Sequence, residues 1–450
     1  MQRLCGPVLL FIGLSVPSSL VAGQVVIDFE GFPDSTILTN QYPGVTFTNA
    51  IVLTVGISLN EFEFPPDSGV NVASDNGGAM TLTFASTITS FGAYFTYAEP
   101  LTLDALNAMN AVVASAGSLF SNNEALSGDP GSSPNEFIQV SFVGGISSVT
   151  ITGDPLGGSF AMDNATYTTA GGTMPEPSSL SLCLLGIGLA VGYCLAVRWR
   201  RPILGGGLAS VSRRLNSRLS FLIGCLLSLA LFAAPTVAAA TSHSLGLVAV
   251  SPTTAVIGTP TQVTVTASIT DPALISNSVN LLRLNTDGTT TILGTLHDDG
   301  LNGDEFAGDL DFTLVVTINA SAATQIQLQV SAAFTGTLLR VKSAVMSVFF
   351  QPANAPQQAL TALAHDLASG NRAAAFNYIN PSINSSTIIN TYSQQALNSL
   401  ASSLKAAVLV GSSADSRIFQ SPFTAPDGTT ALQEFDMVPG VNGQWLINSW

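Results

Sequence analysis

One short stretch of the chain concentrates oxygen-bearing side chains that could hold a metal ion. Residues 296–312 read LHDDGLNGDEFAGDLDF, with short acidic and amide side chains among glycines. Such a loop can wrap several oxygen ligands around a hard cation such as Ca2+. The spacing is not that of an EF-hand, because Gly300 stands where a ligand is needed and Asp309 replaces the closing Glu. The candidate ligands are Asp298, Asp299, Asn302, Asp304 and Asp309, and Asp311 lies beside them.

The same loop also has a metal-free interpretation. Asp and Asn side chains accept hydrogen bonds from nearby backbone N–H groups and so stabilise turns without any ion. Both interpretations are open from the sequence. Structural calcium is the only cofactor that we expect for this chain.

Charged residues are few and unevenly placed along the chain. The net charge is −15, and only 9% of the residues are charged. No Lys or Arg occurs between Arg3 and Arg198, whereas six of the 13 basic residues lie between positions 198 and 218. Because phosphate binding needs clustered Lys and Arg, this acidic composition argues against a nucleic-acid partner.

Three apolar segments have the features of targeting or membrane sequences. Residues 1–23 have a positive start, an apolar centre and small residues at the end, which predicts a signal peptide. Residues 180–197 are just long enough to cross a bilayer as a helix. Residues 219–240 form either a second membrane helix or a second signal peptide, because they follow arginines and end in small residues.

The basic loop between the two later segments orders the chain relative to the membrane. The positive-inside rule places residues 202–218 in the cytoplasm. We therefore expect a two-helix membrane hairpin with the large regions on either side of it outside the cytoplasm. The signal peptide independently places residues 24–173 outside. The alternative is a pair of buried core helices, which two uncharged runs around a basic loop disfavour.

A three-part motif occupies residues 174–201, MPEPSSLSLCLLGIGLAVGYCLAVRWRR. Its Pro-Glu-Pro triplet, apolar run and closing arginines resemble the PEP-CTERM sorting signal of Gram-negative bacteria. The resemblance implies recognition by an exosortase-type processing enzyme and a link to exopolysaccharide and biofilm matrix. In that family the signal ends the protein, but here 249 residues follow. We interpret the chain as two exported proteins joined end to end. The motif residues are Pro175, Glu176, Pro177, Arg198, Arg200 and Arg201.

Residues 24–173 show alternating runs separated by turn residues, which predicts a jelly-roll-like β-sandwich. The sequences IDFEGFPDSTILTNQYPGVTF and FAMDN resemble the sandwich domains common in proteins with this sorting tail. Such domains are related in shape to carbohydrate-binding modules, in which acidic residues on the first and last strands hold structural calcium. The resemblance thus implies a calcium site at Asp28, Glu30 and Asp163. The alternative is that these are solvated acids at strand ends.

Aromatic side chains are the candidates for a sugar-binding platform, because a ring face offers flat apolar surface. Tyr94, Phe95 and Tyr97 stand together in the strand GAYFTY. Successive strand residues point to opposite faces of a sheet, so at least one of two neighbours must be buried. We expect most of the three to pack in the core.

The second external region predicts two further domains. Residues 241–352 alternate with the period of strands, and SPTTAVIGTPTQVTVTASI together with the acidic loop resembles bacterial surface modules of the Ig-like, choice-of-anchor type. Residues 353–450 begin with helical spacing and end with three strands. DLASGNRAAAFNYI and NGQWLINSW resemble the NTF2-like cone fold. The whole chain is therefore expected to be mainly β, with a small α+β domain at its end.

The sequence favours a non-catalytic envelope protein. No catalytic motif stands out, and His365 beside Asp366 is a surface or pocket-lining residue by its position on a helix. The expected partners are the exosortase, the membrane, and matrix polysaccharide or other surface proteins. We expect export, with anchoring in the inner membrane or release to the cell surface after processing. The alternative is a hydrolase or transferase with a site in the pocket of the last domain.

Overall fold

The computed structural model describes residues 23–169, 242–383, 389–424 and 428–449. In these ranges the chain is mainly β and forms several sheets. None of the helices within them is long and apolar enough to cross a membrane. The predicted spans 180–197 and 219–240, the sorting motif, and the predicted signal peptide except Gly23 lie outside the described residues.

The N-terminal module (residues 23–169) is built around two long strands that take part in successive pairings. The sheet order is β2-β4-β5-β10-β6-β9-β7-β8, with β1 on β10 and β3 on β6. The strands are β1 (Gln24–Ile27), β2 (Ile37–Leu38), β3 (Val45–Thr48), β4 (Ala50–Thr54), β5 (Asn71–Asn76), β6 (Met80–Tyr97), β7 (Thr102–Leu106), β8 (Val112–Gly117), β9 (Glu136–Thr152) and β10 (Gly157–Thr169).

Strand β6 forms both layers of this sandwich, because its two halves pair differently. Its first half lies between β3 and the second half of β9, and its second half lies between β10 and the first half of β9. The register shifts between Thr83 and Ile88, which is the kind of irregularity that bends a strand. The sequence predicts two separate strands here; that prediction is wrong, because only Ser and Thr separate the apolar runs and neither residue breaks a strand.

By sequence, residues 101–118 could form a short helix, although two strands with a loop are favoured in a β-rich region; the structure has the two strands. Strands β7 and β8 form a hairpin, closed by a backbone hydrogen bond from Asn110 to Asn107. The main buried core joins the two layers of the N-terminal module. Its largest fully buried side chains are Phe29, Phe91, Phe95, Tyr97 and Phe160.

The middle module (residues 242–351) consists of two smaller sheets. One has the order β11-β13-β16, and the other has the order β12-β19-β17-β14-β15 with β18 on β17. Alternate residues of each strand face one core between them, as Val263, Val265 and Ala267 show in β13. The strands are β11 (Val248–Ser251), β12 (Thr254–Val256), β13 (Thr261–Ser268), β14 (Asn280–Leu284), β15 (Thr290–Thr295), β16 (Asp311–Ile318), β17 (Thr324–Ala332), β18 (Val341–Lys342) and β19 (Met346–Gln351).

The C-terminal module (residues 352–449) packs helices against a four-stranded sheet of order β20-β21-β22-β23. The predicted apolar face of the first helix is confirmed, since Leu360, Leu363, Ala364 and Leu367 are fully buried. The elements are α1 (Ala355–Ala368), α2 (Arg372–Ala375), α3 (Gln394–Lys405), β20 (Val408–Ser412), β21 (Arg417–Thr424), β22 (Thr430–Pro439) and β23 (Trp445–Ile447), with a 3-10 turn at Phe376–Tyr378. A further 3-10 turn, Ser276–Ser278, lies in the middle module.

The C-terminal module differs from its predicted element pattern at the end of α3. The run QQALNSLASSLKAAVLV predicts a second helix from its sequence, but the helix ends at Lys405 and Val408 begins a strand. The β-branched residues at its end favour the extended backbone. The sequence favours core positions over ligand contacts for Trp445 and Trp450; Trp445 is indeed buried, and its ring nitrogen donates to Gln351 at 3.0 Å. Trp450 lies outside the described residues.

The opposite faces of β6 and β9 should respond very differently to truncation. Phe91 is fully buried in the core, whereas Phe137 is 46% exposed on the outer face. We expect Phe91→Ala to lower the free energy of unfolding by about 3–5 kcal/mol, because it leaves a cavity. Phe137→Ala should lower it by less than about 1 kcal/mol. Urea denaturation of the two variants measures this difference, and equal losses would show that the assignment of faces is wrong.

Candidate functional site

The outer face of the N-terminal sheet carries the side chains of β6 that do not enter the core. Phe95 and Tyr97 are fully buried, so the expectation that most of the predicted aromatics pack in the core is confirmed. The Tyr97 hydroxyl donates to the Glu136 carboxylate. The pKa of Tyr97 is raised to about 12, mainly by burial and secondly by this hydrogen bond. Tyr94 has the opposite orientation and is half-buried on the outer face.

Tyr94 and Phe137 form an aromatic pair on this outer face. The two residues lie opposite each other on β6 and β9, and their ring centroids are 5.0 Å apart at an interplanar angle of 55°. A Cβ added at Gly92 would lie 2.7 Å from Cζ of Phe137. The Phe137 ring therefore extends over Gly92, and any larger residue there would displace it.

Polar groups surround the aromatic pair on neighbouring strands. Gly92 pairs with Gln139 of β9 on one side and with Thr166 of β10 on the other. Gln139 is exposed and Thr166 is half-buried. Val26 of β1 pairs with Thr166 and is 56% exposed. We refer to Val26, Gly92, Tyr94, Phe137, Gln139 and Thr166 as the aromatic face.

The sequence did not single out Phe137 or Gly92 as site residues. Phe137 belongs to the predicted strand EFIQVSF, and its alternation with the buried Ile138 and Val140 shows that Phe137 points outward. An outward-facing Phe next to buried neighbours was therefore a signal available in the sequence. The identity of its cross-strand partner was not, because Tyr94 is 43 residues away.

The three acids of the first predicted calcium site do not form a cluster of the kind that could hold an ion by carboxylates alone. Among the described residues, the group of three acidic side chains with ligand atoms within 4.8 Å lies elsewhere. Glu30 instead accepts the backbone N–H groups of Val70 and Asn71 at 2.8 and 2.9 Å. Asp28 is exposed and accepts the N–H of Glu30 at 3.3 Å. A site completed by backbone carbonyls stays a prediction.

Asp163 is buried beneath residues 68–71, the loop whose backbone N–H groups also bind Glu30. It is 1% exposed and accepts the N–H groups of Ser68 at 2.8 Å and Asn164 at 2.6 Å. Burial raises its pKa to about 6, and the two backbone donors oppose that rise. Asp163 lies opposite Tyr94 in the sheet. The part of the outer face that this loop covers therefore ends where the aromatic face begins.

The acidic loop brings together three of its five predicted ligands. Asp298, Asp304 and Asp309 each offer a carboxylate oxygen within 4.8 Å of the others. Asp299 and Asn302 are exposed and do not belong to this group. We call Asp298, Asp304 and Asp309 the acidic cluster.

Backbone donors already occupy much of the acidic cluster. Asp298 accepts the N–H groups of Gly308, Asp309 and Leu310, and Asp304 accepts that of Gly300 at 2.6 Å. These bonds are the ones expected of a turn-forming loop without metal. The geometry is thus compatible with both interpretations made from the sequence.

His365 does not line an enclosed cavity. It is exposed on α1, and it lines an open surface depression with residues of the same helix and Asn354 just before it. This placement agrees with the surface or pocket-lining role expected for it. The sorting-motif residues Pro175, Glu176, Pro177, Arg198, Arg200 and Arg201 lie outside the described residues.

Comparison with known proteins gives no family for this chain. No family model and no curated protein matches it. Matching solved structures include xylanase 10B of Clostridium thermocellum, solved as its CBM22-1 and GH10 modules with xylohexaose, at 8% identity over 34% of this chain and 28% of that chain with a TM-score of 0.19. A DUF4785 family protein of Legionella pneumophila shares 8% identity over 74% and 65% of the two chains, with a TM-score of 0.18. A β-1,2-glucanase of Parabacteroides distasonis shares 8% over 76% and 42%, with a TM-score of 0.16. At these TM-scores the likenesses carry no argument.

The buried carboxyl of Asp163 should give a recognisable pH dependence. Its folded pKa of about 6 lies above the unfolded value of about 3.9. Between these values the native state binds more protons than the unfolded state, so stability falls as pH rises. Asp163→Asn removes this titration. The difference in unfolding free energy between variant and wild type should therefore move in favour of the variant from pH 4 to pH 7, by at most about 3 kcal/mol.

Urea denaturation at several pH values measures this difference. Asp299→Asn, an acid to amide change at an exposed residue of the middle module, is the matched control for the substitution itself. Parallel profiles for wild type and Asp163→Asn would contradict the raised pKa.

Proposed function

We propose that this protein is an exported, non-catalytic envelope protein whose N-terminal module binds polysaccharide through the aromatic face. The observation that carries the proposal is the pairing of the half-buried Tyr94 with the exposed Phe137 on the outer face of the sheet. Sugar rings stack on aromatic side chains through their C–H faces, and their hydroxyls need neighbouring polar groups. Gln139 and Thr166 provide such groups beside the two rings.

The charge of the module indicates which class of glycan it would take. Residues 23–169 include 14 Asp and Glu but no Lys, Arg or His. An anionic polymer would meet repulsion and find no cationic partner in this module. The proposed ligand is therefore a neutral polysaccharide.

The sorting and localisation proposals rest on the sequence. The motif from Pro175 to Arg201 supports recognition by an exosortase-type enzyme, and the apolar segments support export with membrane anchoring or surface release. The acidic composition supports a role outside the cytoplasm without nucleic acid. An association with extracellular matrix would bring the aromatic face into contact with exopolysaccharide.

The finer fold assignments are also proposals. The pairing of β1 with β10 and the main core beneath the aromatic face support a jelly-roll-like sandwich. Two sheets around one core support an Ig-like middle module. A four-stranded sheet packed against α1 and α3 supports an NTF2-like C-terminal module.

The described residues of the C-terminal module offer no observation that favours an enzyme site there. The depression beside His365 is open, and the described residues that line it are amides, Thr361 and Ala362. We therefore do not adopt a hydrolase or transferase activity.

Polysaccharide binding can be measured by affinity electrophoresis of the full chain in gels that contain a neutral glucan, a xylan or an anionic polysaccharide. We expect retardation by at least one neutral polymer. Phe137→Ala or Tyr94→Ala should weaken this binding about tenfold, since each removes apolar surface available for stacking. Leu156→Ala is the matched control, because Leu156 is an exposed apolar residue on a loop of the same module.

Two results would contradict this proposal. Wild-type mobility that no neutral polysaccharide changes would exclude sugar binding and leave a structural or adhesive role. Retardation that both aromatic variants retain would place the binding site away from the aromatic face.

We further propose that the acidic cluster holds a structural Ca2+. Three carboxylates within 4.8 Å repel one another, and a divalent cation would relieve that repulsion. Calcium should then raise the melting temperature of wild type, because a ligand of the native state stabilises it. Asp304→Asn should abolish this increase, whereas Asp287→Asn, in a separate turn of the middle module, should retain it. Unchanged melting of wild type in about 10 mM Ca2+ would favour the metal-free turn.

A further inference from the structure

The carboxylates of the N-terminal module have no cation of their own. Residues 23–169 contain no Lys, Arg or His, yet Glu61 and Asp34 are largely shielded from solvent, with side chains 20% and 9% exposed. Their ionic partners are Arg340 and Lys342 of the middle module. Charge compensation of these acids therefore comes from a part of the chain that follows the sorting motif.

Arg340 is the centre of this contact. Its side chain is fully buried, and its Nη1 donates to both carboxylate oxygens of Glu61, at 2.9 and 3.1 Å. Its other nitrogens bond to Ser331 and to the Ser278 carbonyl within the middle module. Burial lowers the pKa of Arg340, and Glu61 opposes that shift. A buried guanidinium without its carboxylate partner is costly, so this pair couples the two modules.

Backbone pairing extends the contact around Leu339, next to Arg340. The Arg340 N–H donates to the Ser58 carbonyl at 3.0 Å, and the Asn60 N–H donates to the Leu338 carbonyl at 2.9 Å. These two bonds form an antiparallel bridge between one strand-like segment from each module. Each backbone group in the bridge would otherwise lose a partner on burial.

Two fully buried side chains of the N-terminal module bind the turn of the opposite segment. Asn60 donates its amide to the carbonyls of Phe334 and Thr337, at 2.8 and 2.6 Å. Glu63 accepts the N–H of Gly336 at 3.0 Å. Neither residue is exposed to solvent. Buried polar groups need hydrogen-bond partners. Asn60 and Glu63 of the N-terminal module find such partners in residues 334–337 of the middle module.

Apolar packing completes the contact. Leu338 is 5% exposed and enters a small cluster that is separate from the main core of the N-terminal module. Gly56 makes a close approach, since a Cβ there would lie 2.8 Å from Cδ1 of Ile292. The cluster residues that surround Leu338 are Leu53, Leu59, Phe64, Val72 and Ala161.

We infer that residues 333–342, the docking loop, are a recognition element for the N-terminal module, and that the two parts stay bound when the chain is cut between residues 170 and 241. The partner of the N-terminal module is therefore the remainder of its own chain. The interface combines a buried ion pair, buried side chains that hydrogen-bond to the opposite backbone and an apolar insert, which is the composition of specific protein interfaces. This inference does not depend on sugar binding.

Cleavage at the sorting motif would not by itself release the N-terminal module. If the proposed exosortase cuts at the Pro-Glu-Pro site, the N-terminal module loses its covalent link to the rest of the chain. The docking loop then holds it as a non-covalent complex with residues 242–450. This consequence rests on the proposed processing, whereas the interface itself does not.

The test uses the full chain with one site-specific protease site inserted near residue 171 and another near residue 241. After purification in detergent, both sites are cut so that neither the linker nor its apolar segments join the two parts. Size-exclusion chromatography at micromolar concentration then reports association. We expect the fragments 23–169 and 242–450 to elute together as one species. Separate elution of the two cut wild-type fragments would overturn the inference.

Variants identify the interaction responsible. Arg340→Met should weaken the association of the cut fragments at least about 30-fold, because it leaves Glu61 without its cation. Arg283→Met, a change of the same type in the middle module at a residue that makes none of these contacts, should leave the fragments together. Thermal melting of the uncut variants shows that each still folds. Cut fragments that remain equally tightly bound with Arg340→Met would show that the docking loop is not the recognition element.

Discussion

A buried guanidinium determines how the first two modules are arranged. Arg340 is enclosed on the middle-module side by Ser278 and Ser331, and it meets Glu61 on the other side. A charge in this environment is tolerated only when an opposite charge and hydrogen bonds compensate for lost solvation. Residues 23–169 have no cation. Arg340 therefore supplies the positive charge that balances Glu61, and Glu61 balances Arg340. This contact also fixes the position of the docking loop on the N-terminal sheet.

The same contact divides the outer face of that sheet into two parts. Leu338 and residues 55–66 cover the part near β5 and β10, where Ala161 is buried. The part over β6 and β9 is left open and carries Tyr94 and Phe137. One part of the outer face thus contacts the docking loop, and the other part faces solvent. The proposed glycan site is the part that the docking loop leaves uncovered.

Local periodicity made much of the fold predictable from sequence. TQVTVTAS alternates strictly and forms β13, and Leu360, Leu363 and Leu367 repeat at helical spacing and form the buried face of α1. The prediction failed where neighbouring apolar runs had no strong turn signal between them, as in β6. Burial on the two faces of a strand could be derived from alternation, and it correctly favoured the core for Phe95 and Tyr97.

The interactions that join distant parts of the chain were not predictable. Glu61 and Arg340 are 279 residues apart, and neither stands out in its local sequence. The acidic loop was easier to recognise, because its side chains are close in sequence, but only the folded loop separates Asp304 from the exposed Asp299 and Asn302. The sequence shows directly that the N-terminal module lacks Lys and Arg. Only the structure shows that its acids pair with cations of the middle module.

Hydrogen exchange of the full chain tests the central claim most directly. The amides of Asn60 and Arg340 bond across the two modules, so they exchange only when the docking loop separates from the N-terminal module. The account predicts that peptides covering residues 57–61 and 336–341 exchange nearly as slowly as the strand β17 beside them. Exchange of both peptides at the rate of an unprotected chain would contradict it.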